Sequence, residues 1–420
     1  MMNLFILMTA YYIIKPIRES LILGQAGPEL KSYAGALGAL AFLLLVPLYG
    51  RLASRLNRIR LINGVTAFFA SNLVIFYILA QFKIAFDVPF FLWVGLFNLM
   101  LVAQFWAFTN DVYTPEQGKR LFAIVGIGSS AGAIFGAAVA GRLFVLLGAY
   151  SMMLVAAGLL VVCMGLTKWI HNREDRPVCS TLPDEPLSSR GGFQLVLKNR
   201  YLYLIAALIL LANTVNTTGE FILAKSVTER AQTVVVVSGY DGMSKEDYIG
   251  KFYADFYFWG NLLGAGIQLF AVSRIMKYIG VGPALFLLPL VSLGGYATLS
   301  FAPMLTVIRA AKIAENGTDY SIQNTARHAL FLRTSREAKY KGKTAIDGFF
   351  WRLGDAFSAA IVFVGTTFAF TVRGFATTNA ILTVAWLGVA AAIVWLRFVH
   401  GEPEGEEAGP LLNDSSNANA

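Results

Sequence analysis

Runs of mostly apolar residues, each long enough to cross a bilayer, follow one another along this chain with short polar stretches between them. A helix needs about 20 such residues to span the hydrocarbon core. The runs lie near 3–23, 33–50, 60–82, 88–111, 121–147, 150–170, 201–224, 248–272, 281–301, 303–331, 346–372 and 376–399. They predict an all-α integral membrane protein of twelve transmembrane helices, because backbone groups in lipid must be satisfied inside each segment. Composition agrees. Of 420 residues, 56% are hydrophobic and 14% charged, where a soluble domain carries roughly 25% charged residues. So much apolar surface exceeds what one core can bury away from water.

Charge in the loops alternates. One side carries Arg51, Arg55, Arg58 and Arg60, then Lys119 and Arg120, then Lys168, Arg173 and Arg176; farther on come Arg274 and Lys277, then Arg333, Arg336, Lys339, Lys341 and Lys343. The opposite loops, near 24–32, 83–87, 145–149 and 301–303, are nearly free of cations. The positive-inside rule makes the basic side cytoplasmic and puts both termini there. The net charge of +9 is thus topogenic, and no nucleic-acid partner is expected. Residues 1–170 and 201–400 read as two six-helix halves joined by a cytoplasmic linker at 171–200, with a polar, disordered tail at 401–420. Residues 226–247 read as the longest external loop, with Thr233 to Ser238 extended. The apolar start lacks a basic leader and carries Lys15, Arg18 and Glu19, which marks a first span rather than a cleavable signal.

The halves echo each other. At an offset of 222 residues, Lys119, Ala123, Ile124, Gly126, Gly132, Phe135, Ala137 and Ala138 meet Lys341, Ala345, Ile346, Gly348, Gly354, Phe357, Ala359 and Ala360. Small residues recur in membrane helices because they permit close packing, so composition alone competes with duplication as the cause. Many transporters are built from such repeats, with substrate held near the midplane between them.

Charged residues inside spans are costly and normally face a cavity or a partner. At 100° per residue, Arg309, Lys312, Asn316, Asp319, Gln323 and Arg327 fall on one face of the tenth run, a polar stripe suited to lining an aqueous path. Tyr11, Lys15 and Arg18 share a face of the first run, Gln104 and Asp111 one of the fourth, and Arg352 and Asp355 lie one turn apart in the eleventh. Interhelical salt bridges explain the isolated pairs equally well. Two cysteines (Cys163, Cys179) and three histidines lack metal spacing, and neither a G-x-S-x-G motif nor a P-loop occurs. The chain therefore reads as a non-enzyme without metal or cofactor, for which ATP is conceivable as cargo but not as fuel.

Two stretches carry a family likeness. Gly50-Arg51-Leu52-Ala53-Ser54-Arg55-Leu56-Asn57-Arg58 resembles the loop signature of the major facilitator superfamily, with Ser54 at its usual Asp and Asn57 at its usual Gly. Tyr12-Ile13-Ile14-Lys15-Pro16-Ile17-Arg18-Glu19-Ser20-Leu21 resembles the first-helix motif of the ATP/ADP antiporter family. Phe105 to Phe122, containing Asn110 and Asp111, and Asn216-Thr217-Thr218-Gly219-Glu220 with Lys225 resemble further parts of that family. The resemblance implies a facilitator-type monomer in a bacterial inner membrane that exchanges nucleotides. Its implied substrate site draws on Lys15, Arg18, Asn110, Asp111, Glu220, Lys225, Arg309, Lys312, Asn316, Asp319, Arg327 and Arg352. Glu19, Arg51, Arg55, Arg58 and Asp355 are expected in gating or ion pairs. Guanidinium and ammonium groups suit phosphates. The expected cavity nevertheless holds nearly as many carboxylates as cations, so the nucleotide rests on the resemblance. A proton- or ion-coupled carrier of another organic anion, using Glu19 or Asp111, stays open.

Overall fold

The computed structural model describes residues 1–53, 58–112, 115–173, 192–237, 244–331, 334–335 and 338–400. Those residues are helical almost throughout, as segments that must satisfy their own backbone in lipid have to be. The helices are α1 (Met2–Leu21), α2 (Gly27–Ala53), α3 (Arg58–Gln81), α4 (Asp87–Val112), α5 (Pro115–Arg173), α6 (Gly192–Lys198), α7 (Arg200–Ala231), α8 (Lys245–Phe270) and α9 (Val272–Tyr278). They continue with α10 (Val281–Phe301), α11 (Leu305–Thr318), α12 (Asn324–Ala329), α13 (Lys343–Ala345), α14 (Trp351–Thr367) and α15 (Val372–His400). Among the described residues six segments are long and apolar enough to cross a membrane: Leu61–Gln81, Gly126–Trp169, Arg200–Val235, Val281–Phe301, Lys343–Thr367 and Val372–Leu396. This is a multi-pass integral membrane protein.

Helix α5 is two helices in one. Gly148, at φ 70° and ψ 168°, breaks it where a left-handed backbone is open to glycine at little steric cost, and the chain doubles back. One expectation fails. Thr233 to Val237 is not extended but forms a π-helical turn, Gln232–Val237, that continues α7, and the Thr233 hydroxyl donates to the Glu229 carbonyl at 3.0 Å. Valine-rich sequence favours strands only where a pleated partner exists; here the nearest backbone acceptors are those of the preceding helical turn. Ser238 and the remainder of that segment to 243 lie outside the described residues. Within the expected linker, Gly192–Lys198 is helical.

Apolar side chains gather in two clusters. One draws on α1, α3, α4 and α5, with Phe69, Phe76, Phe90, Trp93 and Phe97 packed ring on ring between α3 and α4. The other draws on α7 to α15. They adjoin where α5 packs along α8 and α2 along α14. The echo in sequence has a counterpart in packing. A side chain at Gly132 of α5 would strike the Phe5 carbonyl and Met8 of α1, and one at Gly354 of α14 would strike Asn213 and the Leu210 carbonyl of α7. At the first crossing the Thr9 hydroxyl bonds the Phe5 carbonyl at 2.8 Å and the Gly132 carbonyl at 3.4 Å. At the second, Thr214 bonds Leu210 at 2.8 Å and Gly354 at 3.4 Å. The two crossings share the same arrangement of glycine and threonine.

Candidate substrate cavity

Helix α1 is buried on nearly every side, yet carries Lys15, Arg18 and Glu19. Its charges face inward. After Leu21 a π-helical turn, Ile22–Ala26, leads to Gly27 at φ 89°, a conformation that strains any residue with a Cβ. This tight reversal starts α2 against α1 and brings Lys31 to 2.7 Å from the fully buried Glu19, which Arg18 also contacts. The Tyr257 hydroxyl reaches the same carboxylate at 3.4 Å. One buried acid thus holds two cations. Such a cluster survives in a low dielectric only because opposite charges and hydrogen bonds replace lost water.

A cavity of about 280 Å³ opens beside this cluster. Lys15, Arg18 and Lys31 line it from α1 and α2, Phe91 from α4, Asn216, Thr217 and Glu220 from α7, Tyr257 from α8, Asn316 from α11, and Arg352 and Asp355 from α14. Arg18 lies over the Phe91 ring at 4.8 Å. Asp355 is pinned by Asn213 at 2.8 Å and Thr217 at 3.1 Å, and pairs with Arg352 at 3.4 Å. Glu220 is held loosely, by Asn316 at 3.5 Å and Lys312 at 3.8 Å. Lys15 differs from the other cavity cations. Among the described residues no carboxylate lies within ion-pair distance of it; its ammonium sits 4.0 Å above the Tyr257 ring and 5.3 Å from that of Tyr12. Cation–π contacts of this kind are worth about 1–2 kcal/mol, and Glu220 shares the cavity without pairing with the ammonium.

The structure brings Lys15, Arg18, Glu220, Asn316, Arg352 and Asp355 to one cavity, with Glu19 directly behind. It sends other expected residues elsewhere. Lys312 is 1% exposed and donates to Asn216 Oδ1 at 2.8 Å and Glu315 Oε2 at 3.1 Å, while Tyr296 donates to the same Glu315 oxygen at 2.9 Å. It braces α7, α10 and α11 from behind. The stripe expected on 303–331 is not continuous, because α11 passes at Asp319–Gln323 into a π-helical turn. Its wider helical turn shifts the α register. Beyond Asn316 the next side chain facing the cavity is Tyr320, four residues on, while Arg327 stacks over Trp351 at 4.9 Å and Arg309 over Phe252 at 5.4 Å. Asp319 is not in the cavity lining. Lys225 lines a separate, open cavity of about 840 Å³ with Glu29, Glu229 and Arg373. Arg55 and the side chains of Arg51, Arg58, Asn110 and Asp111 lie outside the described residues.

Lys31 and Tyr320 were not among the expected site residues. Lys31 stood in a loop reckoned nearly free of cations; its signal was being the lone cation of that loop, just before an apolar run. Tyr320 lies four residues after Asn316, on the edge of the polar stripe at the α-helical period, but carries no charge to mark it.

The sequence profile of the Major Facilitator Superfamily matches residues 1–314, three quarters of the chain. This protein belongs to that superfamily. Among curated facilitators it is 25% identical over 308 residues to ADP,ATP carrier protein 1 of Chlamydia pneumoniae, covering 63% of this chain and 57% of that one. It is 22% identical over 294 residues to the protein of the same name from Chlamydia trachomatis, with 60% and 53% covered. The chain thus spans little more than half the length of these relatives. In fold it is similar to the nucleoside transporter NupG (TM-score 0.62, 12% identity, 94% and 98% covered). It is also similar to a POT family transporter solved with 5-aminolevulinic acid (TM-score 0.65, 12% identity, 94% and 95% covered). A bacterial homologue of the lysosomal transporter Spinster, in its inward-facing state, gives a TM-score of 0.56 at 14% identity, with 94% and 96% covered. These relatives and neighbours are transporters, and so is the fold.

Proposed function

We propose that this facilitator is a secondary transporter that exchanges nucleotides of the ATP/ADP type by alternating access. Lys15 carries the reading: a cation with no ion-pair partner among the described residues, with Arg18, Lys31 and Arg352 around it, suits a phosphate chain better than any neutral solute. The names of the two Chlamydia relatives support the nucleotide. The working unit is twelve spans in two six-helix halves, residues 1–170 and 201–400, joined by 171–200, with both termini and the 401–420 tail cytoplasmic. It works as a monomer without cofactor, in a bacterial cell membrane. Exchange follows from electrostatics. An empty cavity leaves Lys15 without a counter-charge, so the empty carrier reorients slowly, and a bound anion removes the barrier.

A second reading draws on Glu220 and Asp355, which face the same cavity as the cations. Acids and bases on opposite walls suit a solute bearing both signs, and one structural neighbour was solved with 5-aminolevulinic acid. In that reading the carrier is proton- or ion-coupled and takes another organic anion. Uptake of radiolabelled ATP into proteoliposomes, with and without ADP inside, separates the two. The exchange reading expects uptake that needs internal ADP and is lost in Lys15→Ala. No ATP uptake under any loading, or uptake that needs no internal nucleotide and collapses with an uncoupler, sinks it.

A further inference from the structure

A second cavity, of about 190 Å³, lies on the other side of Tyr320, between α1, α5, α8 and the π-helical turn. Among the described residues no charged side chain lines it. Its polar groups are Tyr12, Ser129, Ser130, Asn261, Gln268 and Tyr320. Tyr320 lines both cavities, and Tyr12 lines the second while its ring lies 5.3 Å from the Lys15 ammonium of the first. Charged and neutral compartments thus meet at an aromatic wall. The Tyr12 hydroxyl donates to Asn261 Oδ1 at 3.1 Å, and that bond orients the amide. Asn261 Nδ2, on the same amide, is buried with no hydrogen-bond partner, an omission that costs about 1–3 kcal/mol until an acceptor arrives.

We infer that the neutral cavity is the subsite for the nucleobase, and that Asn261 and Gln268 select the base while Lys15 and its neighbours hold the phosphates. The inference rests on the nucleotide reading above and divides the substrate between two compartments. The geometry suits such a solute. Met8 and Lys15 mark the two compartments on α1, and seven residues of helix rise roughly 10 Å, comparable with the length of a nucleoside. Tyr320 offers a ring face at the junction, where a base stacks. Two amides and four hydroxyls line it, the Asn261 amide oriented by Tyr12, and a site built to bond a particular pattern rejects a base lacking it far better than apolar contact does. The phosphate compartment is blind to the base.

The test uses the full chain in lipid nanodiscs, with ATP and inorganic tripolyphosphate as probes and equilibrium displacement of radiolabelled ATP as readout. In Asn261→Leu and Gln268→Leu, ATP affinity is expected to fall roughly tenfold, toward that of tripolyphosphate, since each removes one or two hydrogen bonds; tripolyphosphate affinity stays at the wild-type value. Retained tripolyphosphate binding also certifies folding, and Ser130→Ala, too small a change to unfold the bundle, replaces any variant that lacks the wild-type thermal unfolding transition. ATP and tripolyphosphate weakening together, or neither changing, overturns the subsite. Absence of ATP binding by the wild type overturns the nucleotide reading itself and the subsite with it.

Discussion

Lys15, Arg18, Lys31 and Arg352 all line the cavity, but among the described residues Lys15 makes no ion pair, so equal truncations have unequal consequences. Removing Lys15 leaves no buried acid orphaned. Lys15→Ala should therefore keep the thermal unfolding midpoint of the ligand-free protein close to wild type while lowering nucleotide affinity ten- to a hundredfold, about 1.5–3 kcal/mol for a charge-assisted contact. Glu19→Gln does the reverse. It leaves Arg18 and Lys31 buried without a counter-charge, which costs about 3 kcal/mol or more, and the midpoint should drop sharply; an unchanged midpoint would show that the cluster is not a structural ion pair. Lys312 belongs with Glu19. Lys312→Met strands Glu315 and should destabilise to a similar degree, whereas Lys312→Met with Glu315→Gln should regain a large part of the loss. Failure of the double substitution to recover stability would refute the bracing role.

At the scale of the element, two features decide how the helices fit. The first is the repeated glycine crossing. Gly132→Leu and Gly354→Leu each push a branched side chain into a neighbouring backbone, and overpacking of this kind costs about 1–3 kcal/mol or more. Both variants should express poorly and melt early. Gly158, which has open space beside it, should accept leucine, and a similar loss there would refute the crossing argument. The second is the π-helical turn Asp319–Gln323, and here sequence reasoning reached its limit. A stripe drawn at 100° per residue placed Lys312, Asn316, Asp319 and Arg327 together; the wider turn begins only at Asp319, and Lys312 is drawn away by Asn216 and Glu315. Helix existence was legible from apolar length, because lipid leaves a buried backbone few other options. A π-turn has no comparable signature, since its cause is packing against α8 and α10 rather than local propensity.

Across the whole molecule, one end is closed by contacts between α1 and the start of α8. The Ser20 hydroxyl donates to the Glu246 carbonyl at 2.6 Å, Lys245 Nζ reaches the Gly24 carbonyl at 3.2 Å, and a side chain at Gly24 would overlap that of Glu246. Alternating access requires these contacts to part. Ser20→Cys with Glu246→Cys, in a Cys163→Ser, Cys179→Ser background, should form a disulfide that stops transport and releases it on reduction. Full transport with the bridge formed would mean that this end never opens.

The sequence by itself determined the class of molecule. Apolar length, cation-poor loops and an internal echo are local or periodic properties, and the bilayer acts on them one segment at a time. It also marked most of the cavity's charges, because an ionised group in a span is expensive enough to stand out: Lys15, Arg18, Glu220, Arg352 and Asp355 were all visible. Only the tertiary structure decided which of those charges are spent on each other. Lys31 meets Glu19 because Gly27 turns the chain back, Lys312 retires behind Asn216, and Lys225 faces a different cavity. Pairing depends on distances across helices far apart in sequence, and in a low dielectric a shift of a few ångströms separates a structural ion pair from a free charge.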